Sequence, residues 1–333
     1  MDRVRLAVLG CGGMGASLAR AASTLDLATV THAYDPQADR ARALAEELGA
    51  QASSELDTAL AAEDVDAVFV AGPNYTHRDL TVRAAHAGKH VFCEKPMALS
   101  VQHCREMIAA CEAAGVKLMV GQVLRYLPVF ETVTGLLASR DFGRPFSVAT
   151  CRLGSGWSGL AQQAPWRAKQ ELCGGVLFEV SQHELDYIRC VLGEAQTVFC
   201  MMDQFGTREC DYPDLLYVLL RFDQGGLGCL QAGHAAVLGS YDGKVLCEKG
   251  TIFFDNAHGL VTYKLEGEET ATVDTRKRTF EPAVQKEVRQ FCEAVLRDEE
   301  PAIPGLEGLR NVAIAEAALQ SAAQGRPVEV VKE

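Results

Sequence analysis

Val4 to Gly15 reads VRLAVLGCGGMG, an apolar run interrupted once, at Arg5, and stopped by Gly10-x-Gly12-x-x-Gly15. A strand covered on both faces of a parallel sheet is nearly all apolar. Val4, Leu6, Ala7, Val8 and Leu9 therefore predict a buried strand, the glycines a tight turn, and Met14 to Ala22 a helix. Each glycine has its own use: Gly10 permits the turn, Gly12 lets the backbone approach a pyrophosphate, and Gly15 lets the helix lie close on the sheet. Cys11, Gly13 and Met14 complete a loop whose N–H groups and helix dipole would hold phosphates. Leu27 to Tyr34 follows as a second strand ending at Asp35, about 20 residues downstream, where a carboxylate accepts hydrogen bonds from the adenosine ribose. Asp35-Pro36 also suits the start of a helix, with Asp as N-cap and Pro in the first turn. The two uses are compatible. An acid there repels a 2′-phosphate, which favours NAD over NADP, although Arg40 and Arg42 on the next helix leave NADP open.

The chain of 333 residues, 48% hydrophobic and 23% charged, is long enough for two domains of roughly 150 residues each and unsuited to disorder. Its formal net charge of −12 leaves no basic footprint for nucleic acid or an anionic membrane, so a small molecule is the expected partner. No stretch approaches the ~20 uninterrupted apolar residues of a membrane helix, and Met1-Asp2-Arg3 leads into the first strand instead of a signal peptide; the cytoplasm is expected. The 12 cysteines include no C-x-x-C pair. Cys93, Cys190, Cys229 and Cys247 fall in apolar segments and read as small buried hydrophobes, so free thiols and no structural metal are expected.

Further along, Pro36 to Leu48 predicts a helix closed by Gly49, Asp66 to Ala71 a strand, Thr76 to Ala87 a helix and His90 to Cys93 a strand. Ser100 to Ala114 is a helix with Ser100 as N-cap and Gly115 as its stop, and Lys117 to Gly121 a last strand. Strands alternating with helices imply a doubly wound parallel sheet of the Rossmann type, whose ligands collect at the carboxyl ends of the strands. Those ends carry Gly10, Asp35, Gly72-Pro73-Asn74, Glu94-Lys95-Pro96 and Gln122. After Phe146 the strands lengthen: Leu215 to Phe222 and Leu227 to Ala235 read as a hairpin, and Thr251 to Asp255 with Leu260 to Lys264 as another pair. Helices at Glu281 to Arg297 and Leu309 to Gln324 close the chain. The expected architecture is an NAD(P)-binding domain over 1–122 and an α+β domain with an open, largely antiparallel sheet over 123–333, its last helix able to pack back on the first domain. Such a sheet leaves one apolar face to cover, so a homodimer or homotetramer is expected.

These residues resemble the glucose-fructose oxidoreductase, inositol dehydrogenase and MocA (Gfo/Idh/MocA) family over most of the chain. The most specific part is Cys93-Glu94-Lys95-Pro96 after a strand, preceded by Pro73-Asn74-Tyr75-Thr76-His77, which is similar to the family's P-N-x-x-H element. A lysine at the end of a buried strand beside a nicotinamide is partly desolvated and suited to proton handling. Cys173-Gly174-Gly175 through Glu179, His183 and Asp186 resembles the family's glycine turn into a helix bearing an acid, a histidine four residues on and an aspartate three further. Those spacings put the three side chains on one helical face. The sequence departs from the family where Glu179 replaces aspartate, Cys173 a glycine and Ser181 a glycine; Glu179 and Glu184 could also be solvent-facing helix formers. His183-Glu184 has no second histidine for an H-E-x-x-H zinc site. Arg125-Tyr126 resembles a family position facing nicotinamide and substrate, and Trp166-Arg167 one at the pocket rim.

The resemblance implies a dehydrogenase acting on a secondary alcohol of a sugar, inositol or related polyol. His183 would take the hydroxyl proton, Lys95 would hydrogen-bond the same oxygen, and Glu179 or Asp186 would fix the imidazole. Two alternatives stay open: a redox-neutral lyase or hydrolase that oxidises its sugar transiently, and a non-catalytic NAD or ligand sensor.

Overall fold

A computed structural model of the chain describes residues 2–155, 164–206 and 209–332. They form two compact units. One comprises Met1–Val123 with Glu281–Val312, the other Leu124–Phe280 with Ala313–Glu333.

The first unit holds a six-stranded, wholly parallel sheet in the doubly wound order β3-β2-β1-β4-β5-β6. Its strands are β1 (Val4–Leu9), β2 (Ala28–Tyr34), β3 (Gln51–Ser53), β4 (Ala67–Val70), β5 (His90–Glu94) and β6 (Leu118–Gly121). Val4 and Leu6 to Leu9 are fully buried. Arg5, the one interruption, gives both its backbone N–H and its guanidinium to Asp66 at 2.7–2.9 Å. The helix stops fall where the glycines predict them: Gly49 and Gly115 sit at φ 69° and 66° as left-handed caps, and Ser100 Oγ accepts from His103 N at 3.2 Å. β3 and the helix Leu56–Ala61 were not foreseen, being too short for a periodic pattern. The amphipathic helix Ala283–Arg297 also belongs to this unit, whereas the sequence reading grouped it with the second domain. Its buried Val288, Phe291 and Cys292 recur at helical spacing, and the Phe291 ring lies 5.7 Å from that of Phe92 and 6.2 Å from that of Phe69.

The second unit is built on a nine-stranded mixed sheet, β14-β13-β12-β11-β7-β10-β9-β8-β15, in which only the β7–β10 pair is parallel. Its strands are β7 (Pro145–Ser155), β8 (Ala195–Asp203), β9 (Leu215–Phe222), β10 (Leu227–Gly233), β11 (Ala235–Cys247), β12 (Gly250–Asp255), β13 (Leu260–Leu265), β14 (Ala271–Asp274) and β15 (Val328–Glu329). Strand alternation decides its two faces. On the inner face the helices Pro128–Ser139 and Gln182–Leu192 contribute Phe130 and Tyr187 to an aromatic cluster with Phe254, centroids 4.6–5.7 Å apart. On the outer face Met201, Tyr217, Leu219 and Phe253 are exposed. Two cysteines differ from expectation: Cys190 is exposed on its helix and Cys229 only half-buried, because each stands on the outward phase of its element. Among the described residues no helix is long and apolar enough to cross a membrane.

Candidate functional site

The first unit gathers the residues that the sequence points to for a nucleotide along the carboxyl edge of its sheet. Gly10 takes φ +104°, and a Cβ there would lie 2.7 Å from Gly72 N, so the turn admits only glycine. A Cβ on Gly15 would stand 1.9 Å from Gly10 O, which fixes how closely the helix Gly13–Ser23 approaches β1. Cβ atoms on Gly12 and Gly13, in contrast, would meet nothing within 4 Å. The open space lies over the first turn of that helix, whose leading N–H groups have no partner within the helix. A pyrophosphate on the helix N-terminus would fit this open space.

Asp35 is buried at the tip of β2. One carboxylate oxygen accepts from Cys11 N at 3.0 Å and the other from Gln37 N at 2.9 Å. The carboxylate therefore ties the glycine loop to the second strand and turns the chain into the next helix, which begins at Ala38 after Gln37 and not at Pro36. Each oxygen keeps lone-pair capacity for a ribose hydroxyl. Arg42 is spent on an ion pair with Asp39, and Arg40 is exposed. Away from water and beside the Asp35 carboxylate, the Cys11 thiol is pushed up to about 12 and stays neutral. Gln122, just past β6, is buried, and its Oε1 has no hydrogen-bond partner among the described residues, an acceptor left for a donor at this edge. Lys95 follows β5, half-buried, in a cis Lys95-Pro96 turn; its backbone N–H reaches the buried Glu94 carboxylate at 3.2 Å. Asn74 and His77 are buried after β4, and the His77 ring nitrogens lie 2.8 Å from Pro96 O and 2.9 Å from Gly72 O.

In the second unit the segment carrying His183 is two helices, not the single one that the spacing predicts. Gly175–Glu179 ends where Ser181 N reaches back to Val176 O at 3.0 Å, and Gln182–Leu192 begins afresh. Gly174 and Gly175, at φ 82° and 69°, make the preceding turn. Glu179 and His183 are buried, and Glu184 and Asp186 fully so. Neither glutamate is a solvent-facing helix former. A buried carboxylate needs a counter-charge, and each of the three acids has its own arginine. Glu179 pairs with Arg167 Nε at 2.8 Å, and that guanidinium also stacks 4.8 Å from the Trp166 ring. Asp186 takes a bidentate fork from Arg125 at 2.6 and 2.7 Å. Glu184 accepts from Arg152 at 3.0 Å and from Tyr241 OH at 2.6 Å. Burial, and with it the Glu184 charge, holds the Tyr241 hydroxyl far above its ordinary range, so it remains a donor.

Two ion pairs, Arg167–Glu179 with Trp166 against the guanidinium and Arg125–Asp186, thus frame the chain segment that carries His183, with Tyr126 buried after Arg125. Arg152 and Tyr241 are additions that the sequence reading did not make. The available signal was parity: Arg152 occupies the same phase of β7 as the buried Val148 and Thr150. An arginine on the inward phase of a strand marks a buried acid opposite.

The chain matches two family descriptions, "Oxidoreductase family, NAD-binding Rossmann fold" over residues 4–122 and "Oxidoreductase family, C-terminal alpha/beta domain" over residues 135–330. It is 34% identical over 240 residues to the 2,7-anhydro-N-acetylneuraminate hydratase of Escherichia coli K12, spanning 70% of this chain and 62% of that one. It is 28% identical over 340 residues to the myo-inositol 2-dehydrogenase of Thermotoga maritima, spanning 98% of each. Among solved structures it is similar to GenD2 from gentamicin A biosynthesis in complex with NAD, at TM-score 0.86 and 26% identity over 99% of this chain and 97% of that one.

Proposed function

Because the chain belongs to the Gfo/Idh/MocA oxidoreductase family and carries its NAD-binding Rossmann domain, we propose that it oxidises a secondary alcohol of a sugar, inositol or related polyol. Bound NAD supplies a hydride acceptor. The protein supplies orientation and proton handling. His183 takes the hydroxyl proton, and Lys95 donates a hydrogen bond to that oxygen, favouring the charge that develops on it. Glu179 and Asp186 act on the imidazole through the frame they build with Arg167 and Arg125, which fixes the helix that carries it. The chief support is Lys95 at the carboxyl edge of the sheet whose glycine loop and Asp35 suit NAD.

A second reading is favoured by the hydratase relative: a redox-neutral reaction in which the sugar is oxidised only transiently and leaves with its oxidation level unchanged. NADH absorbance, followed with NAD or NADP against inositols, aldoses, amino sugars and sugar acids, separates the two. The expected result is NADH formation with one polyol class and NAD, at least ~10-fold faster than with NADP. Sugar conversion with no net NADH would replace the dehydrogenase by the redox-neutral enzyme.

A homo-oligomer remains part of this proposal. The exposed Met201, Tyr217, Leu219 and Phe253 on one sheet face support it, and sedimentation at monomer mass across micromolar concentrations would remove it.

A further inference from the structure

His77 has a feature that neither phosphate binding nor proton transfer uses. Both of its ring nitrogens point along their N–H directions at main-chain carbonyls, Nδ1 at Pro96 O, 2.8 Å, and Nε2 at Gly72 O, 2.9 Å. A carbonyl oxygen only accepts, and a neutral imidazole has one N–H and one lone pair. Either neutral tautomer would therefore set a nitrogen lone pair against a carbonyl lone pair at hydrogen-bond distance, on a side chain that is only 1% exposed. Only the imidazolium donates to both.

We propose that His77 is an imidazolium in the folded protein and acts as a positioning residue, clamping the turn after β4 to the Lys95-Pro96 turn after β5 and so setting where Lys95 stands. The part concerning Lys95 rests on the function proposed above; the protonation state does not.

The charged and titratable groups around it bear on this differently. The end of β5 brings Cys93, Glu94 and Lys95. The turn after β4 brings only Tyr75. The residue's own helix brings Arg78 and Asp79, an ion pair, and the helix Val101–Ala114 packed on it brings Cys104 and Glu106, the latter also paired with Arg78. The Cys93 thiol is held neutral by burial, which leaves Glu94 as the buried anion of these strand ends. Standing at the first position of its helix, His77 meets the unfavourable end of the helix dipole. Two charge-assisted bonds to fixed carbonyls oppose that more strongly.

The test uses the NAD-bound full chain labelled with 15N-histidine, the His77 signals being assigned by their loss in His77→Gln. Both ring nitrogens should carry protons, with the shifts of an imidazolium, at about pH 8, where an ordinary histidine of reference pKa about 6.5 is neutral. One bare ring nitrogen at about pH 7 overturns the proposal, and this readout needs no substrate. His77→Gln offers a donor at one end only. It should lower kcat on the order of 100-fold with NAD affinity changed less than ~3-fold, since a displaced catalytic group costs rate before binding. Wild-type kcat in that variant overturns the positioning role. An imidazolium signature in a protein that turns over none of the sugars would instead count against the function proposed for Lys95.

Discussion

The Gly15→Ala protein is expected to lose NAD binding and folding stability together, whereas Gly12→Ala loses the first and keeps the second. The added methyl at position 15 would fall 1.9 Å from Gly10 O and 3.2 Å from a Val8 methyl, contacts that only a shift of the helix can relieve. Overpacking of this kind costs about 1–3 kcal/mol, toward the upper end here because the obstruction is backbone. The shift also carries the helix N-terminus away from the turn made by Gly10, and with it the N–H groups that would face the pyrophosphate. At position 12 the methyl meets nothing within 4 Å, so the thermal midpoint without ligand should match that of the wild type. It projects instead into the space where the phosphates approach, and a loss of at least 10-fold in NAD affinity, about 1.4 kcal/mol, is expected. Thermal unfolding with and without NAD, plus an NAD titration of each variant, reads both effects. Wild-type NAD affinity in Gly12→Ala would mean that the open space is not the phosphate site.

This contrast explains why the glycine loop was legible in the sequence. Gly10 and Gly15 are dictated by backbone-to-backbone distances that any fold of this kind must satisfy, so spacing alone reveals them. Asp35 was legible in part. Its placement at the end of β2 followed from the strand pattern, but its hydrogen bond to Cys11 N depends on two strands being adjacent, which no local signal encodes. The histidine segment was harder. Spacings of four and three imply one face only if the helix is continuous, and the break at Val180 and Ser181 arises from a backbone bond to Val176 O that sequence periodicity cannot show. The role of the acids was hidden for the same reason. Glu179 and Asp186 look like partners for the nearest basic side chain, His183, yet each carboxylate meets an arginine brought in from another element. A guanidinium that is always charged satisfies a buried carboxylate at every pH, which an imidazole cannot. Arg152 and Tyr241 sit on neighbouring strands in register, so their joint contact with Glu184 appears only once the order β7-β11 is known.

His183→Asn and Lys95→Met should each reduce turnover by about 10²–10⁴-fold, the range for removing a positioned acid–base group, while NAD affinity changes less than ~3-fold. The separation follows from where the side chains stand. Lys95 contributes its backbone N–H to the Glu94 carboxylate, so the turn after β5 keeps that bond when the ammonium is removed and the methionine preserves the apolar stem. Asparagine at 183 stays polar on a helix that is held by the Arg125–Asp186 and Arg152–Glu184 pairs. Loss of rate without loss of thermal stability would then report chemistry and not packing. The pH profile adds a second discriminator. A histidine base works only when neutral, so kcat/KM of the wild type should rise with pH through the imidazole titration, and that acid limb should vanish from the residual rate of His183→Asn. In Lys95→Met the acid limb should persist at reduced amplitude, because the base is intact and only the hydrogen bond to the developing oxyanion is gone. Undiminished turnover in either variant would remove that residue from the reaction, and an unchanged acid limb in His183→Asn would pass the base to another group.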